Sequence, residues 1–150
     1  MRVVLQRVRE AKVTSEGEIL GEIGPGLLVL TAFETADTAQ DLLWTAAKIA
    51  KLRIFNDSEG RMNLDLAEVN GELLIVSQFT LFAETKKGNR PSYMRSARPE
   101  TAIPLYHAFL TTLQELTGKI PQTGEFGADM QVQLINDGPV TITIDSRAKD

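Results

Sequence analysis

The sequence predicts one mixed α/β domain with a mainly antiparallel sheet and two main helices. The chain has 150 residues, about the length of one ordinary domain. Hydrophobic residues make up 43% of it and charged residues 24%, which is typical of a globular protein and argues against disorder. Its periodic segments follow the order strands, helix, strand, helix, strands, and none has the composition of a linker. This order favours a single layered domain over residues 1–150.

The N-terminal segments predict a hairpin followed by a buried strand. Residues 3–14 are rich in β-branched side chains and lead to a polar turn at 15–18, and residues 19–23 form the returning strand. A Gly-Pro-Gly turn at 24–26 then interrupts the pattern. Residues 27–30 are a short, continuous apolar run, which is typical of a buried strand.

The first helix is predicted over about residues 38–53. Its apolar side chains recur at the spacing of one helix face, at Leu42, Leu43, Ala46, Ile49 and Ala50. Asp37 lies just before them with Gln40 three residues on, the spacing of a capping box. We therefore expect Asp37 to be the N-cap of this helix.

The second helix is predicted from Pro99 to about Thr117. Proline is favoured in a first helical turn, and Gly118 is well suited to end a helix. Pro104 lies inside the segment and lacks the backbone N–H that a helix interior uses. A kinked or delayed first turn is expected for that reason.

The remaining segments predict three strands and a loop. Residues 73–76 are a second buried strand that ends in polar residues, and residues 84–98 have no clear period and predict an ordered loop. Residues 130–135 and 140–144 alternate apolar and polar side chains, as strands do. The Asn-Asp-Gly-Pro sequence at 136–139 predicts a hairpin turn between them.

Composition excludes several kinds of chemistry. The chain has no cysteine, which excludes disulfides, thiolate metal sites and a cysteine nucleophile. It has one histidine, His107, which excludes a multi-histidine metal site. The apolar run at 3–5 is too short for a signal peptide, and the longest apolar stretch, 26–33, is too short to span a membrane. We therefore expect a soluble cytoplasmic protein that uses no metal or cofactor and binds no membrane.

The charge of the chain is unevenly distributed. The net charge of −4 from 16 basic and 20 acidic residues argues against nucleic acid, DNA included, or an anionic membrane as a partner. Residues 85–98, however, contain five basic residues and no acid, namely Lys86, Lys87, Arg90, Arg95 and Arg98. Without these five, 11 basic residues face 20 acidic ones, a net charge of −9 on the rest of the chain. Such a segment is most often a solvated loop, but it is also where RNA phosphates would be bound.

Side chains offer few options for catalysis. Ser77 and Thr80 lie at a predicted strand end beside a loop, a common place for site residues. A serine triad would need His107 as its base, and no G-x-S-x-G motif surrounds Ser77. His107 lies on the predicted second helix, where packing or solvent exposure is the simpler interpretation. The acids of residues 57–65 could hold magnesium, but a solvated loop is the simpler interpretation there.

The main chain offers a further possibility at residues 77–80. Phe79 lies between two polar residues where the strand ends, so its N–H could be free to meet a ligand oxygen. Exposed main-chain donors are sufficient to stabilise an oxyanion if the substrate is already reactive. Such a site would act on an activated ester and not on an amide or a phosphodiester. The alternative is that residues 77–80 are only a strand end.

Two separated motifs resemble those of the D-aminoacyl-tRNA deacylase family. They are S-Q-F-T-L at 77–81 and N-D-G-P-V-T at 136–141. The resemblance continues in the same order through further segments, among them Q-R-V at 6–8, K-G-N-R-P-S at 87–92 and T-G-E-F-G-A-D-M at 123–130. It covers residues 1–145 and leaves 146–150 as a tail.

The resemblance implies a three-layer α/β/β fold and a cytoplasmic homodimer with its sites at the dimer interface. It implies a proofreading hydrolase that removes a D-amino acid, or glycine, from the 3′ end of tRNA without a metal. Gly138-Pro139 would be a cis peptide inserted from one subunit into the pocket of the other. Its carbonyls would hold the substrate's amino group and leave no room for an L side chain. Arg7 would support this turn; it shares a strand face with Val3 and Leu5, an unusual place for an unpaired charge.

The resemblance also implies roles for the other site residues. The catalytic segment, with the Phe79 N–H as a backbone donor, would be Ser77, Gln78, Phe79 and Thr80. Phe126 and Met130 would pack against the terminal adenine, and Ala102 would border the amino-acid pocket. An aminoacyl ester is activated by its ammonium group and the neighbouring ribose hydroxyl, so the protein would mainly position it and supply donors. Thr80 is expected to line the site, with a role as nucleophile left open.

Two departures and three alternatives accompany this resemblance. Thr31-Ala32-Phe33 replaces the more usual Leu-Gly-Val after the buried strand, and Pro104 interrupts the second helix. The first alternative is a non-catalytic module that binds the tRNA acceptor end. The second is a related enzyme that corrects another mischarged tRNA, with a trans Gly-Pro peptide. The third is a plain serine esterase that depends on His107.

Overall fold

A computed structural model describes residues 1–150, which form eight strands, two helices and one 3₁₀ turn. The strands are β1 (Arg2–Ser15), β2 (Glu18–Ile23), β3 (Gly26–Ala32), β4 (Phe55–Asn56), β5 (Met62–Leu64), β6 (Glu72–Ser77), β7 (Gln122–Thr123) and β8 (Gln131–Asp145). The helices are α1 (Ala39–Lys51) and α2 (Pro99–Thr117), and the 3₁₀ turn is Phe79–Phe82. Neither helix combines the length and apolar character that crossing a membrane requires.

Strand β1 organises the main sheet, whose order is β2-β1-β3-β6-β7 with β8 paired to β1 as well. The first half of β1 pairs antiparallel with β3 and its second half with β2, while β8 pairs antiparallel along nearly all of it. Strands β3, β6 and β7 are parallel to one another. Gly26 permits the β3–β6 pairing, because a Cβ at this position would overlap the backbone of Glu72. The predicted mixed, mainly antiparallel sheet is confirmed.

Two apolar clusters separate the layers of the fold. The larger lies between the sheet and the two helices and includes Leu27, Ile49 and Phe109. The smaller includes Val13 and Leu74 and packs against one face of β8. These clusters account for the three-layer α/β/β class, which the structure confirms. Burial of apolar surface on both sides of the central strands is the main force that holds the layers together.

Helix α1 is confirmed, but its predicted cap is wrong. The N-cap is Thr38, whose backbone N–H and hydroxyl both donate to the Asp41 carboxylate, at 2.9 and 3.0 Å. Asp37 instead accepts a 2.7 Å bond from the N-terminal ammonium of Met1 and a 2.8 Å bond from the Glu34 N–H. These two contacts engage the Asp37 carboxylate away from the helix end, and the one from Met1 comes from a residue 36 positions earlier in the chain.

The predicted hairpin at residues 136–139 is also wrong. The flanking segments form one strand, β8, and both halves pair with β1 in the same direction. Gln6 pairs with Thr141 and Val8 with Asn136, so residues 137–140 leave the ladder as a bulge. Within it, the Asn136 side chain accepts from the Val140 N–H at 2.8 Å and donates to the Val140 carbonyl at 3.1 Å. A bulge of this kind directs backbone away from the sheet.

Helix α2 has its predicted bounds, and Gly118 ends it with a left-handed φ of 70°. The expected delay of its first turn is wrong, since the N–H groups of Thr101 and Ala102 both donate to Arg98. Pro104 has no N–H, so the carbonyl of Glu100, four residues earlier, lacks its usual helical donor. Both residues are exposed, so water can supply the missing hydrogen bond.

The C-terminal residues pack against the start of the chain. Ser146 is buried; its N–H donates to the Met1 carbonyl at 3.0 Å and its hydroxyl accepts from the Met1 ammonium at 2.8 Å. Arg147 contacts the carboxylates of Glu34 and Asp37. The tail beyond the family resemblance is therefore an ordered part of the fold.

Candidate active site

A cavity of about 310 Å³ lies where β3 and β6 end. The two strands are parallel, and Thr31 of β3 pairs with Ser77 of β6, so their carboxyl ends open at the same edge of the sheet. Residues that follow each strand form one wall, and residues 126–130, before β8, form another. Carboxyl ends of neighbouring parallel strands are a common place for ligand sites in α/β folds.

The polar segment after β6 turns sharply beside this cavity. Ser77, Gln78 and Phe79 line it, and the Gln78 N–H donates to the Thr31 carbonyl at 2.7 Å. Phe79 begins the 3₁₀ turn, which has no side-chain cap. The first N–H groups of a helical turn have no acceptor within it. The Phe79 N–H therefore has no acceptor within the turn, and its use as a main-chain donor in the cavity stays a prediction.

Thr80 is one residue further along the 3₁₀ turn and is not among the cavity-lining residues. Its hydroxyl accepts a hydrogen bond from the Gln78 side-chain amide. This contact connects the side chains of residues 78 and 80 and leaves Thr80 without a base. The geometry gives Thr80 a supporting position next to Gln78.

Three residues from later in the chain complete the cavity, as the family resemblance implies. Ala102 is buried in the first turns of α2, and Phe126 and Met130 line the opposite wall. The Phe126 ring lies 5.8 Å from that of Tyr106, centroid to centroid. Tyr106 donates its hydroxyl hydrogen to the Ile75 carbonyl at 3.0 Å, and burial raises its pKa to about 12. Tyr106 thus stays neutral and supports the wall.

Thr31 is a polar residue at the cavity whose role the sequence does not predict. It is 1% exposed, and its hydroxyl has no hydrogen-bond partner. It is also the first residue of the Thr31-Ala32-Phe33 departure, all three residues of which line the cavity. The departure therefore lies in the site wall and not in a remote part of the core.

A second group of predicted residues assembles on the β8 bulge. The Gly138-Pro139 peptide is cis, and both residues are exposed. Arg7, only 7% exposed, donates from Nε to the Asp137 carbonyl and from Nη1 to the Ile54 carbonyl, both at 2.7 Å. Gly138 has a φ of 150°, and a Cβ there would lie 2.8 Å from Val140 Cγ2 and 3.1 Å from Arg7 Nη2. The φ of 150° and the close approach of Val140, whose backbone N would lie 2.9 Å from that Cβ, account for glycine at this position.

The two groups are separate within one chain. Neither Arg7 nor Gly138-Pro139 lines the cavity formed by the same chain. The bulge projects from the sheet with its Gly-Pro peptide exposed, so it is available to contact another molecule.

Titratable side chains are nearly absent from the cavity. Asp129 is the only ionisable residue among those that line it, and His107 is exposed on α2 outside the lining. Asp57, considered for magnesium, accepts from the Asn63 side chain at 2.8 Å and from the N–H groups of Glu59 and Arg61. These hydrogen bonds lower the pKa of the Asp57 carboxyl, and the bond from Asn63 has the largest effect. Asp57 is thus a loop cap, and no three acidic or histidine side chains converge as a metal site.

Comparison with known proteins gives a consistent set of matches. The family model for D-Tyr-tRNA(Tyr) deacylase matches residues 4–145. Proteins called D-aminoacyl-tRNA deacylase from Akkermansia muciniphila and Dechloromonas aromatica are each 57% identical over 150 residues, which is all of this chain and all of theirs. The corresponding protein from Flavobacterium psychrophilum is 54% identical over the same length.

Two solved structures have the same fold. One, described as a c-Myc DNA unwinding element binding protein, has a TM-score of 0.91 and 39% identity over 97% of this chain and 98% of its own. The other, described as a probable eukaryotic D-amino acid tRNA deacylase, has a TM-score of 0.81 over 95% of this chain and 97% of its own. At 19% identity, the second supports the fold alone.

Proposed function

The chain belongs to the D-Tyr-tRNA(Tyr) deacylase family, and we propose that it hydrolyses the ester between tRNA and a D-amino acid or glycine. The observation that carries this proposal is a cavity with apolar walls and a main-chain donor but no paired nucleophile and base. Such a site is suited to an ester that is already activated. Aminoacyl-tRNA is an ester of this kind, and a proofreading role would place the protein in the cytoplasm.

Some cavity residues stabilise the reacting ester, and others bind the terminal adenine. Ser77, Gln78 and Phe79 face the ester, and the Phe79 N–H donates to the carbonyl oxygen as it becomes an oxyanion. Removal of one such donor from an enzyme costs about 10²–10³ in rate. Phe126 and Met130 pack against the terminal adenine on the opposite wall.

The reaction is a simple hydrolysis. Water adds to the ester carbonyl, and the tetrahedral intermediate collapses with loss of the ribose oxygen, which takes up a proton. The products are a free amino acid and tRNA with its ribose hydroxyl restored. The adjacent ribose hydroxyl assists proton movement, so the protein need not supply a histidine base.

Selection against L-aminoacyl-tRNA is assigned to Gly138-Pro139 of a second subunit. Three observations support this: the bulge is exposed, Arg7 holds it from below, and it does not line its own chain's cavity. In a symmetric dimer each bulge would enter the partner's cavity, where Ala102 borders the amino acid. Rigid backbone at that point would exclude an L side chain by contact.

Mixing two inactive variants tests this arrangement. Ala102→Trp fills the cavity and leaves the bulge intact. Gly138→Val disrupts the bulge, whose carbonyls hold the substrate's amino group, and leaves the cavity intact. After subunit exchange at equal concentrations, about a quarter of the wild-type sites should be restored, since half the dimers are mixed and each has one complete site. Mixed dimers that form, as shown with two different affinity tags, and yet recover no D-Tyr-tRNA hydrolysis would contradict it.

A single-turnover assay distinguishes the enzyme from a non-catalytic acceptor-end binder. With protein in excess over D-Tyr-tRNA or Gly-tRNA, the enzyme releases the amino acid, whereas a binder protects the ester. In the same assay, His107→Ala should retain activity, because His107 lies outside the cavity. Loss of activity in that variant would favour the serine esterase alternative.

A further inference from the structure

The segment from Thr85 to Arg98, called here the basic strap, carries five cations and no acid. Four of them, Lys86, Lys87, Arg90 and Arg98, are exposed and make no ion pair. Elsewhere in the chain, five of the eleven arginine and lysine side chains form an ion pair, namely Arg2, Arg9, Lys51, Arg61 and Arg147. The strap therefore concentrates free positive charge on a protein whose remaining residues sum to −9.

The C-terminal half of the strap is fixed to the rim of the cavity. The Tyr93 ring packs edge-on against Phe79 with centroids 5.2 Å apart, and the Ser96 hydroxyl donates to the Phe79 carbonyl at 2.7 Å. The Ala97 N–H donates to the Phe33 carbonyl at 2.8 Å. Because Phe79 and Phe33 both line the cavity, this half of the strap lies at the cavity rim.

The other half is a closed loop with a basic tip. Glu84 and Ser92 exchange two backbone hydrogen bonds, at 2.8 and 3.0 Å, and thereby close residues 85–91 into a loop that carries Lys86, Lys87 and Arg90. Arg95 differs from these cations. It donates to Glu34 from both Nε and Nη2, at 3.1 and 2.8 Å, and lies over the Phe82 ring, so it anchors the strap.

A groove of about 310 Å³ runs between the strap and the start of α2. Tyr93, Met94, Ser96 and Arg98 line it from the strap side, Glu100 and Thr101 line it from the helix, and Thr35 completes the lining. Tyr93 and Ser96 are the residues that contact Phe79, so the groove begins beside the cavity rim. It combines hydroxyl groups and exposed apolar side chains with one cation, Arg98, and one carboxylate, Glu100. Hydroxyl groups, apolar side chains and cations are groups that bind a nucleic-acid strand, so the free cations of the strap must supply most of the attraction for phosphate.

We propose that the basic strap binds the phosphates of the RNA strand that immediately precede the esterified nucleotide. The proposal rests on the proposed function, which puts the ester in the cavity. The strand then leaves past Phe79 and Tyr93 and follows the groove, with its phosphates next to the free cations of the strap. The acidic charge of the remaining surface disfavours RNA elsewhere, so these contacts set the direction in which tRNA approaches.

The test compares two substrates that differ in phosphate content. D-Tyr-tRNA has the RNA strand, whereas D-tyrosyl-adenosine has the same ester and no phosphate. For Lys86→Glu/Lys87→Glu, we expect kcat/KM on D-Tyr-tRNA to fall about tenfold or more, mostly through KM, because two phosphate contacts become repulsive. On D-tyrosyl-adenosine it should stay within about twofold. The slope of log(kcat/KM) for tRNA against log[salt] should decrease by about 0.7 per lost contact.

Lys119→Glu is the control for charge reversal away from the strap, and it changes the net charge by −2 where the double variant changes it by −4. Lys119 follows the opposite end of α2, whose 19 residues separate it from Arg98 by about 27 Å. This variant should hydrolyse D-Tyr-tRNA at nearly the wild-type rate. An equal loss in Lys119→Glu, an equal loss on both substrates, or no loss on tRNA would overturn the proposal.

If the wild-type protein hydrolyses neither substrate, the proposed function is refuted, but the proposed binding of RNA phosphates by the basic strap is not. The affinity for uncharged tRNA then decides the strap's role. Weaker binding by the double variant than by wild type and Lys119→Glu would support it, and equal binding by all three would overturn it.

Discussion

Arg7 is a buried charge that connects three parts of the molecule. It lies within β1, yet its guanidinium binds the carbonyls of Asp137 in the β8 bulge and Ile54 before β4. Burial of an arginine is costly unless its donors find acceptors, and here Nε and Nη1 each donate a 2.7 Å bond to a carbonyl while Nη1 also reaches Asn56 Oδ1 at 3.4 Å. The unusual core-facing charge in the sequence is thereby explained: Arg7 holds the position of Gly138-Pro139.

We expect Arg7→Lys to reduce both stability and stereochemical selection. A lysine ammonium keeps the charge but cannot reproduce the planar fork that reaches two carbonyls. The free energy of unfolding, measured with urea, should fall by about 1–3 kcal/mol. The ratio of D-Tyr-tRNA to L-Tyr-tRNA hydrolysis should fall as well.

Arg9→Lys provides the control, because Arg9 contacts the Asp137 carboxylate from the exposed side. A surface ion pair of this kind contributes about 0–1 kcal/mol, so Arg9→Lys should leave both measurements nearly unchanged. Equal effects of the two substitutions would contradict the role assigned to Arg7.

Thr31 offers a second test at the residue scale. Its buried hydroxyl has no partner, and so does that of Thr45 in α1. Removal of an unpaired polar atom from the interior relieves its desolvation cost. Thr31→Val and Thr45→Val should therefore each raise the free energy of unfolding by about 1 kcal/mol. A loss of stability in urea unfolding for Thr31→Val would show that its hydroxyl has a partner in solution.

At the scale of elements, local patterns predict the helices and strands better than their ends and connections. Apolar spacing predicts α1, and Pro99 and Gly118 at the two ends predict α2; both helices are confirmed. The cap of α1 could not be predicted from spacing, because Asp37 is bound by the N-terminal ammonium. The hairpin at 136–139 is wrong for a similar reason. Asn-Asp-Gly-Pro satisfies turn chemistry, but β1 is long enough to pair with both flanking segments.

The true cap of α1 predicts a specific pH dependence. The pKa of Asp41 is lowered overall: desolvation, the largest influence, would raise it, but hydrogen bonds from Thr38 and Ser146 outweigh it. A carboxyl whose pKa is lower folded than unfolded stabilises the fold at neutral pH, and this stabilisation is lost as pH falls below about 4 and through the folded pKa.

Asp41→Asn should thus lower the free energy of unfolding by about 1 kcal/mol at pH 7. The difference from wild type should shrink as the pH is lowered through 4 towards 3, as measured by urea unfolding at each pH. Gln40→Ala is the control, because Gln40 is exposed and is not part of the cap. A loss that is the same at pH 7 and pH 3, or an equal loss in Gln40→Ala, would contradict this assignment.

At the scale of the whole molecule, the site depends on contacts between segments that are distant in the chain. The sequence motifs predict the residues at 77–80 and 138–139, but only the β3–β6 pairing shows that Ser77 opens beside Thr31. The separation of the Gly-Pro bulge from its own cavity is likewise a property of the folded chain. The distribution of charge is likewise a property of the folded chain. The net charge of −4 bears on RNA binding only when the basic strap is located at the cavity rim.

Chirality of the substrate is the most direct test of the function proposed here. The measurement is kcat/KM for D-Tyr-tRNA and for L-Tyr-tRNA made from the same tRNA, at the same pH and salt concentration. We expect hydrolysis of the D ester and only the uncatalysed rate for the L ester. A ratio above about 100 would correspond to at least about 2.7 kcal/mol of discrimination in the transition state. Equal rates for the two esters would contradict selection by Gly138-Pro139, and release of neither amino acid would contradict the enzyme itself.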